Sequence, residues 1–264
     1  MVFVPTMGAL HEGHLVLIRR ARRLAGSQGS VVVSIFVNPT QFGPKEDLSR
    51  YPRPFDRDQE LCKLAGVDLL FHPTPSEMYA PDASITVSEA RLSTGLCGAS
   101  RPGHFNGVCT VVAMLFGIIR PEIALFGEKD WQQLAIIRRM VRDLKISVKI
   151  LGHPTIREED GLALSSRNLL LTPENRLLAP RLYQALLATE MEAEAGETSV
   201  ARLRRGLLKE ITAIPGAVPD YAEIVNAETL EPLKKLEKGI SSRVLIAVKL
   251  GSVRLIDNIS LTAK

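Results

Sequence analysis

The run VVVSIFV at residues 31–37 does most to constrain the fold. A near-continuous apolar stretch rich in β-branched residues predicts a strand covered on both faces, the usual state of a strand in a parallel sheet flanked by helices. Shorter apolar segments at residues 2–4, 68–71, 123–126 and 147–151 predict further strands, and residues 85–87 a further extended piece. Helical patterns lie between them. From about Gly13, Leu15, Ile18, Ala21 and Leu24/Ala25 share one face, with Arg19, Arg20, Arg22 and Arg23 on the other. Residues 55–65 predict a helix with Leu61, Leu64 and Ala65 inward and Gly66 as its stop. An apolar helix runs through Ile119, and residues 131–144 form an amphipathic one with Leu134, Ile137, Val141 and Leu144 inward. Alternating strands and helices predict α/β architecture: a parallel sheet with helical crossovers on both faces. Past residue 155 the order changes. A long helix from Pro173 to about Ala195 and a second over residues 199–214 precede strands at 221–225, 244–248 and 253–256. That order describes a smaller α+β domain, so the expected domains are residues 1–155 and 156–264.

A chain of 264 residues with 45% hydrophobic content can bury one large core or two moderate ones. A net charge of +4 suits an enzyme for anionic substrates and is too weak to argue for a nucleic-acid partner. Three cysteines without Cys-x-x-Cys spacing read as reduced thiols, hence a cytoplasmic location. The chain enters its first strand without a basic leader, so no signal peptide is expected. Its most apolar segment, residues 108–119, is too short to span a bilayer and is broken by Gly117, so no membrane partner is expected either.

The chemistry concentrates where the first strand meets the first helix, in FVPTMGALHEGH at residues 3–14. His11 and His14 fall on one face of a helix start, and Gly13 puts no side chain in the way. Free N–H groups and the helix dipole favour an anion there, so the simplest reading is a triphosphate site with two imidazole donors. Surface or capping histidines are the plain alternative. Zinc is another, although the zincin pattern needs histidines four apart and here they are three apart. Further polar loops follow predicted strands. Asn38, Gln41 and Phe42 lie past the 31–37 run, where open α/β sheets bind ligands; each is equally suited to an ordinary turn. Arg101 and His104 open the apolar helix and suit an anion, or an exposed loop and a cap. Gly127, Lys129 and Asp130 follow the 123–126 strand, with Gln133 just inside the next helix. Ser165, Ser166 and Arg167 form a loop that can clamp outer phosphates, or simply a surface turn.

Five segments in this order, at residues 5–14, 36–43, 101–107, 126–133 and 160–168, closely resemble the pantothenate synthetase (pantoate–β-alanine ligase) family of the His-x-Gly-His nucleotidyltransferase superfamily. The resemblance covers essentially the whole chain. It implies a Rossmann-like amino-terminal domain, a smaller carboxy-terminal lid and a homodimer. It also implies a two-step reaction: pantoate and Mg2+-ATP give pantoyl adenylate, and β-alanine then displaces AMP to give pantothenate. Carried over by motif, His11, His14, Lys129 and Arg167 are catalytic. The ATP site comprises Met7, Gly8, His11, His14, Gly127, Lys129, Asp130, Ile156, Ser165, Ser166 and Arg167. Pantoate falls to Met7, Asn38, Gln41, Phe42 and Gln133, and Arg101 and His104 stay as an anion or interface pair. The sequence departs from the family in two places. The short helical segment usual before the first strand does not precede it here. A paired aspartate proposed for magnesium is Arg57-Asp58, leaving Asp58 as the remaining metal candidate beside the nucleotide's own phosphates.

Two other functions fit parts of the pattern. A nucleotidyltransferase acting on a phosphorylated acceptor shares the histidine logic but keeps the nucleotide in its product. A nucleic-acid-binding module would use the arginine face at residues 19–23, but aromatic content of 5% offers no stacking platform.

Overall fold

Branching at Cβ suits an extended backbone packed on two faces, which is why valine and isoleucine crowd the strand segments. The computed structural model describes residues 1–44, 46 and 48–263. Its first five strands are β1 (Val2–Thr6), β2 (Val31–Ile35), β3 (Leu69–Phe71), β4 (Ile123–Gly127) and β5 (Lys149–His153). They pair in parallel in the order β3-β2-β1-β4-β5. The chain therefore builds outward from β1 to one edge and then returns to β1's other side. β1 stays in register with β2 as far as Thr6↔Ile35, but pairs with β4 only at Val2↔Ile123 and Phe3↔Ala124. The carboxyl ends of β1 and β4 are thus unpaired with each other at the point where strand order reverses. Open α/β sheets take ligands at such a point.

Helices α1 (Glu12–Ala25), α2 (Phe55–Leu64), α3 (Pro75–Met78), α4 (Cys97–Ser100), α5 (His104–Ile119) and α6 (Trp131–Asp143) lie between or after these strands. Leu17, Ile18 and Ala21 of α1 and Cys62 of α2 bury against Val2, Val4, Val31, Val33 and Leu125. Phe3, one position out of phase, meets Phe116 of α5 edge-on with ring centres 6.4 Å apart. The sheet is therefore covered on both faces, and each buried aliphatic side chain contributes roughly 1.5–3 kcal/mol. The result is the Rossmann-like α/β layer expected.

The remaining chain, from Thr155 onward, forms a second unit. Helices α7 (Pro173–Leu178), α8 (Arg181–Glu194) and α9 (Val200–Thr212) precede an antiparallel sheet of β6 (Ala217–Asn226), β7 (Ser242–Leu250) and β8 (Val253–Leu261). Leu186, Leu203, Leu207 and Ile211 pack with Ile224, Val244, Ile246 and Val248 in its core. A single cut at residue 155 does not separate the two units, because residues 95–100 and 129–135 group with the second one. Specific hydrogen bonds explain this. The Gln132 side chain accepts from Cys97 N–H at 2.9 Å and donates to Gly95 O at 2.9 Å. Trp131 Nε1 donates to Ala227 O at 2.8 Å, and Asn258 Nδ2 to Lys129 O at 2.8 Å.

Several local expectations are corrected. Leu24, near the end of α1, and Leu144, just past α6, lie exposed; Leu17 joins Ile18 and Ala21 in the core, with Leu15 and Ala25 packed against it as expected. In α2 Leu61 and Ala65 pack against the core as expected, but Leu64 is 78% exposed, and Asp58 and Cys62 are buried in addition. Residues 85–87 pair with no strand; Val87 N–H donates to Thr110 Oγ1 at 2.9 Å. The long helix expected from Pro173 is two, α7 and α8, with Pro180 at the break, where a missing N–H and the ring's bulk stop one helix and suit the start of the next.

Candidate functional site

Immediately after β1 the backbone turns through two left-handed residues, Gly8 at φ +80° and Ala9 at φ +50°. Glycine is required at the first. A Cβ there would lie 2.9 Å from Ile35 Cγ2 and 3.0 Å from Asp58 Oδ2. Thr6 Oγ1 donates to Ser34 O at 2.7 Å and accepts from Gly8 N–H at 3.2 Å. Asp58, reaching from α2 and 1% exposed, accepts from Ala9 N–H at 2.7 Å and from Leu10 N–H at 2.8 Å. Both of its carboxylate oxygens thus hold the turn. The carboxylate that the sequence offers as a metal candidate is thus engaged on two buried amides, as a clamp for the backbone.

The clamp delivers the chain into α1 with His11 at the N-cap and His14 at the third helical position. His11 N–H donates to His14 Nδ1 at 3.3 Å, and the two rings lie 4.1 Å apart between centres. Because Nδ1 of His14 accepts, its neutral ring carries the proton on Nε2, a donor suited to an anion. Nearby, the far end of β4 is open: a Cβ on Gly127 would meet nothing within 4 Å.

The loop after β2 is organised by Asn38, which is buried. Its Nδ2 donates to Gln41 Oε1 and to Gly107 O, both at 3.1 Å. Its Oδ1 accepts from Thr40 N–H at 3.3 Å, from the Thr40 hydroxyl at 2.9 Å and from Tyr79 OH at 2.7 Å. Asn38 is therefore engaged throughout by protein and orients Gln41, instead of presenting its own amide to a ligand. Gln41 Nε2 in turn points at Met7 Sδ, 3.2 Å away, which brings two of the expected pantoate residues together. Phe42 packs edge-on against Tyr51 at 5.9 Å.

Arg101 and His104, expected as an anion or interface pair, meet an anion of the protein's own. Arg101 Nε and Nη2 donate to the two oxygens of Glu46 at 2.7 and 2.5 Å, and Nη1 meets His104 Nε2 at 3.0 Å. With Nε2 accepting, His104 Nδ1 donates to Gln41 O at 2.8 Å. Burial works against the Glu46 carboxylate, but the Arg101 guanidinium outweighs it and holds the carboxyl below its usual range. The pair fastens the Gln41 backbone carbonyl, while Asn38 holds its side chain.

In the second unit, Lys129 Nζ stands 3.7 Å from Asp130 Oδ2. Gln133 is half-buried in the first turn of α6. Residues 156–164 form a narrow hairpin, with Leu164 N–H donating to Ile156 O at 2.9 Å and Arg157 bridged to Ala163. The hairpin leads into a short turn of helix over Ser166–Leu170, at whose start Ser165 Oγ accepts from Arg167 N–H at 3.2 Å. Ser165, Ser166 and Arg167 are all half-buried. Among the described residues, no group of three His, Cys, Asp or Glu side chains is placed to hold a metal ion.

Sequence reasoning overlooked Asp58 as a clamp, Tyr79 as a partner of Asn38, and Glu46 as the partner of Arg101. No local pattern marks them, since each partner lies tens of residues away in the chain.

Known proteins resemble this arrangement from end to end. A family model described as pantoate-beta-alanine ligase matches residues 1–260. The pantothenate synthetase of Thermotoga neapolitana is 52% identical over 256 residues, spanning 97% of this chain and 90% of that protein. That of Moorella thermoacetica is 53% identical over 260 residues, spanning 98% and 89%. The crystal structure of pantothenate synthetase from Thermus thermophilus superposes with a TM-score of 0.93 at 51% identity, covering 99% of this chain and 93% of that one. The pantoate-beta-alanine ligase of Francisella tularensis, solved in complex with beta-gamma ATP and beta-alanine, gives 0.80 at 35% identity over 98% and 88% of the two chains. With the match running through both units and every motif loop, the chain belongs to the pantoate–β-alanine ligase family.

Proposed function

We infer that this protein condenses pantoate with β-alanine to pantothenate at the expense of ATP, through a pantoyl adenylate. The observation that carries this is the family match along residues 1–260, which also displaces nucleotidyl transfer to a phosphorylated acceptor. In the first step a pantoate carboxylate oxygen attacks the α-phosphorus, the bond to the bridging oxygen breaks, and pyrophosphate leaves. In the second, the β-alanine amine attacks the acyl carbon and AMP departs with the bonding pair.

The residue roles in this reading are carried over from the motif resemblance, and local geometry supports several of them. Negative charge builds on phosphate oxygens during adenylation, so catalysis is positioning plus electrostatics, without a covalent nucleophile. His11 and His14 supply ring donors at a helix start whose backbone amides also favour an anion. Lys129 supports the α-phosphate. Ser165, Ser166 and Arg167 take the β- and γ-phosphates, and Ser165 suits this because its oxygen already accepts an amide, leaving its hydrogen to donate. Met7, Gly8, Gly127, Asp130 and Ile156 surround the nucleotide. Met7, Gln41, Phe42 and Gln133 hold pantoate, the glutamine amides reading its hydroxyls, while Asn38 orients Gln41.

Magnesium enters as the companion of the triphosphate. Such ions are commonly held by substrate phosphates and one or two carboxylates, and the described residues offer no cage of three ligands. A homodimer and a cytoplasmic location belong to the same reading. Among the described residues no helix is long and apolar enough to cross a membrane.

Single-turnover measurement of AMP formation tests the roles. His11→Ala and Lys129→Ala should each slow adenylation by about a hundredfold or more, the usual loss when one preorganised donor is removed. Gln41→Ala should instead raise the pantoate KM with little change for ATP. Unchanged adenylation in either of the first two variants, or an ATP defect in the third, would overturn the corresponding role.

A further inference from the structure

The hairpin ahead of Ser165 carries a charged network built from residues other than those assigned to the substrates above. Arg176, on α7, donates through Nη2 to Glu158 Oε2 and through Nη1 to Asp160 Oδ2, both at 2.6 Å. The other oxygen of Glu158 accepts from Asn168 Nδ2 at 3.0 Å. Asn168 Nδ2 also donates to Ala163 O at 3.1 Å, and its backbone N–H donates to Ser165 O at 3.0 Å. A continuous line of hydrogen bonds thus runs from the α7 guanidinium through Glu158 and Asn168 into the turn that displays Ser165, Ser166 and Arg167. The far side of the hairpin is fixed separately. Arg157 donates to both oxygens of Asp257 at 2.6 and 2.9 Å and stacks 3.6 Å over the Tyr183 ring.

We propose that Arg176 is a positioning residue for the outer phosphates of ATP: through Glu158 and Asn168 it sets the conformation of the Ser165–Ser166–Arg167 loop. The proposal rests on the reading of that loop given above. A guanidinium is suited to the task because its planar fork reaches two separate carboxylates at once, which a single ammonium does poorly. It has an electrostatic side as well. Without Arg176, Glu158 and Asp160 stand as two uncompensated carboxylates beside a loop that must accept a polyanion. The Arg176 side chain is 31% exposed, so its ion pairs add little to global stability, and a change in ATP handling is separable from a change in folding.

Steady-state kinetics with AMP inhibition decide the matter, because AMP lacks the β- and γ-phosphates. Arg176→Ala should raise the KM for Mg-ATP on the order of tenfold, as expected for losing charge-assisted contacts, while the AMP inhibition constant and the pantoate KM stay within about twofold. Arg176→Lys should recover only part of the loss. Asn168→Ala should give the same split, and the double variant should lose less than the two single losses combined, since the positioning part of both effects runs through Glu158. Should Arg176→Ala fail to fold, Asn168→Ala carries the test. An ATP KM within about twofold of the parent, or ATP, AMP and pantoate constants rising together, would overturn the proposal. Arg167→Ala separates the two levels. If it raises the ATP KM while Arg176→Ala does not, only the positioning role fails. If Arg167→Ala leaves the ATP KM unchanged, the phosphate-loop reading fails and this proposal with it.

Discussion

Replacing Asp58 should dismantle the turn that presents His11. Its two oxygens accept buried amides at 2.7 and 2.8 Å, and hydrogen bonds to a charged acceptor contribute roughly 1.5–3 kcal/mol each. The turn they hold also carries Ala9 at φ +50°, a left-handed state that costs a non-glycine residue about 1–2 kcal/mol and relies on the clamp to persist. Asp58→Ala removes both acceptors and leaves two buried N–H groups without them, a loss of about 3–5 kcal/mol, which is a large share of a typical domain's stability. Asp58→Asn keeps one acceptor but turns an NH2 toward the second amide, so about 2–3 kcal/mol should go. Urea unfolding followed by far-ultraviolet circular dichroism measures the loss. Adenylation rates measured below the onset of unfolding show whether His11 is displaced. The clamp is refuted if Asp58→Asn costs under about 1 kcal/mol and instead raises the Mg2+ concentration needed for half-maximal activity. Magnesium ligation, not backbone clamping, would then be the role of Asp58.

Three further outcomes follow from the packing. A Cβ on Gly107 would sit 2.5 Å from Thr40 O and 2.7 Å from Gln41 N, both backbone, so Gly107→Ala should push the Gln41 loop aside. It should raise the pantoate KM and cost about 1–3 kcal/mol by overpacking, measured by kinetics and thermal unfolding. Glu46 has a folded pKa held below its ordinary value near 4.5, so its pairing with Arg101 contributes stability above that value and loses it as pH falls through the folded pKa. Glu46→Gln should therefore lower stability at pH 7, and the gap to the parent should close as the pH falls through the folded pKa, read from melting temperatures across pH. Burial pushes the Cys62 thiol up to about 11 and the Cys109 thiol up to about 12, with Asp58 and Glu89 adding respectively to each shift. Neither should be alkylated by iodoacetamide in the native protein at about pH 8, as peptide mass mapping would show.

Much of this was legible in the sequence, for identifiable reasons. The apolar run at residues 31–37 required burial on both faces, and Val31 to Phe36 are buried, with Val31 and Val33 packed against α1. The strand–helix alternation led to the parallel sheet, because crossover connections leave few other arrangements. The histidine pair was placed at a helix start because glycine and the onset of helical periodicity mark one. What hydropathy could not show was polar burial. By hydropathy Asp58 is an outward acid on α2 and Leu64 an inward apolar residue, yet the positions are reversed. The reason lies in partners at Ala9 and Leu10, far back in the chain, that make a buried carboxylate worth keeping. Arg101 illustrates the same limit. Its basic character suggested an external anion, whereas Glu46 already fills that role. Pro180 is plain in the sequence, but continuous periodicity on either side masks its power to divide the helix.

Exchange of labelled pyrophosphate into ATP, with Mg2+ and without β-alanine, tests the central claim most directly. Exchange should require pantoate and stop when pantoate is left out, because only a reversible pantoyl adenylate links the two pools. Exchange independent of pantoate, or none at all from folded protein that still makes pantothenate, would contradict that intermediate.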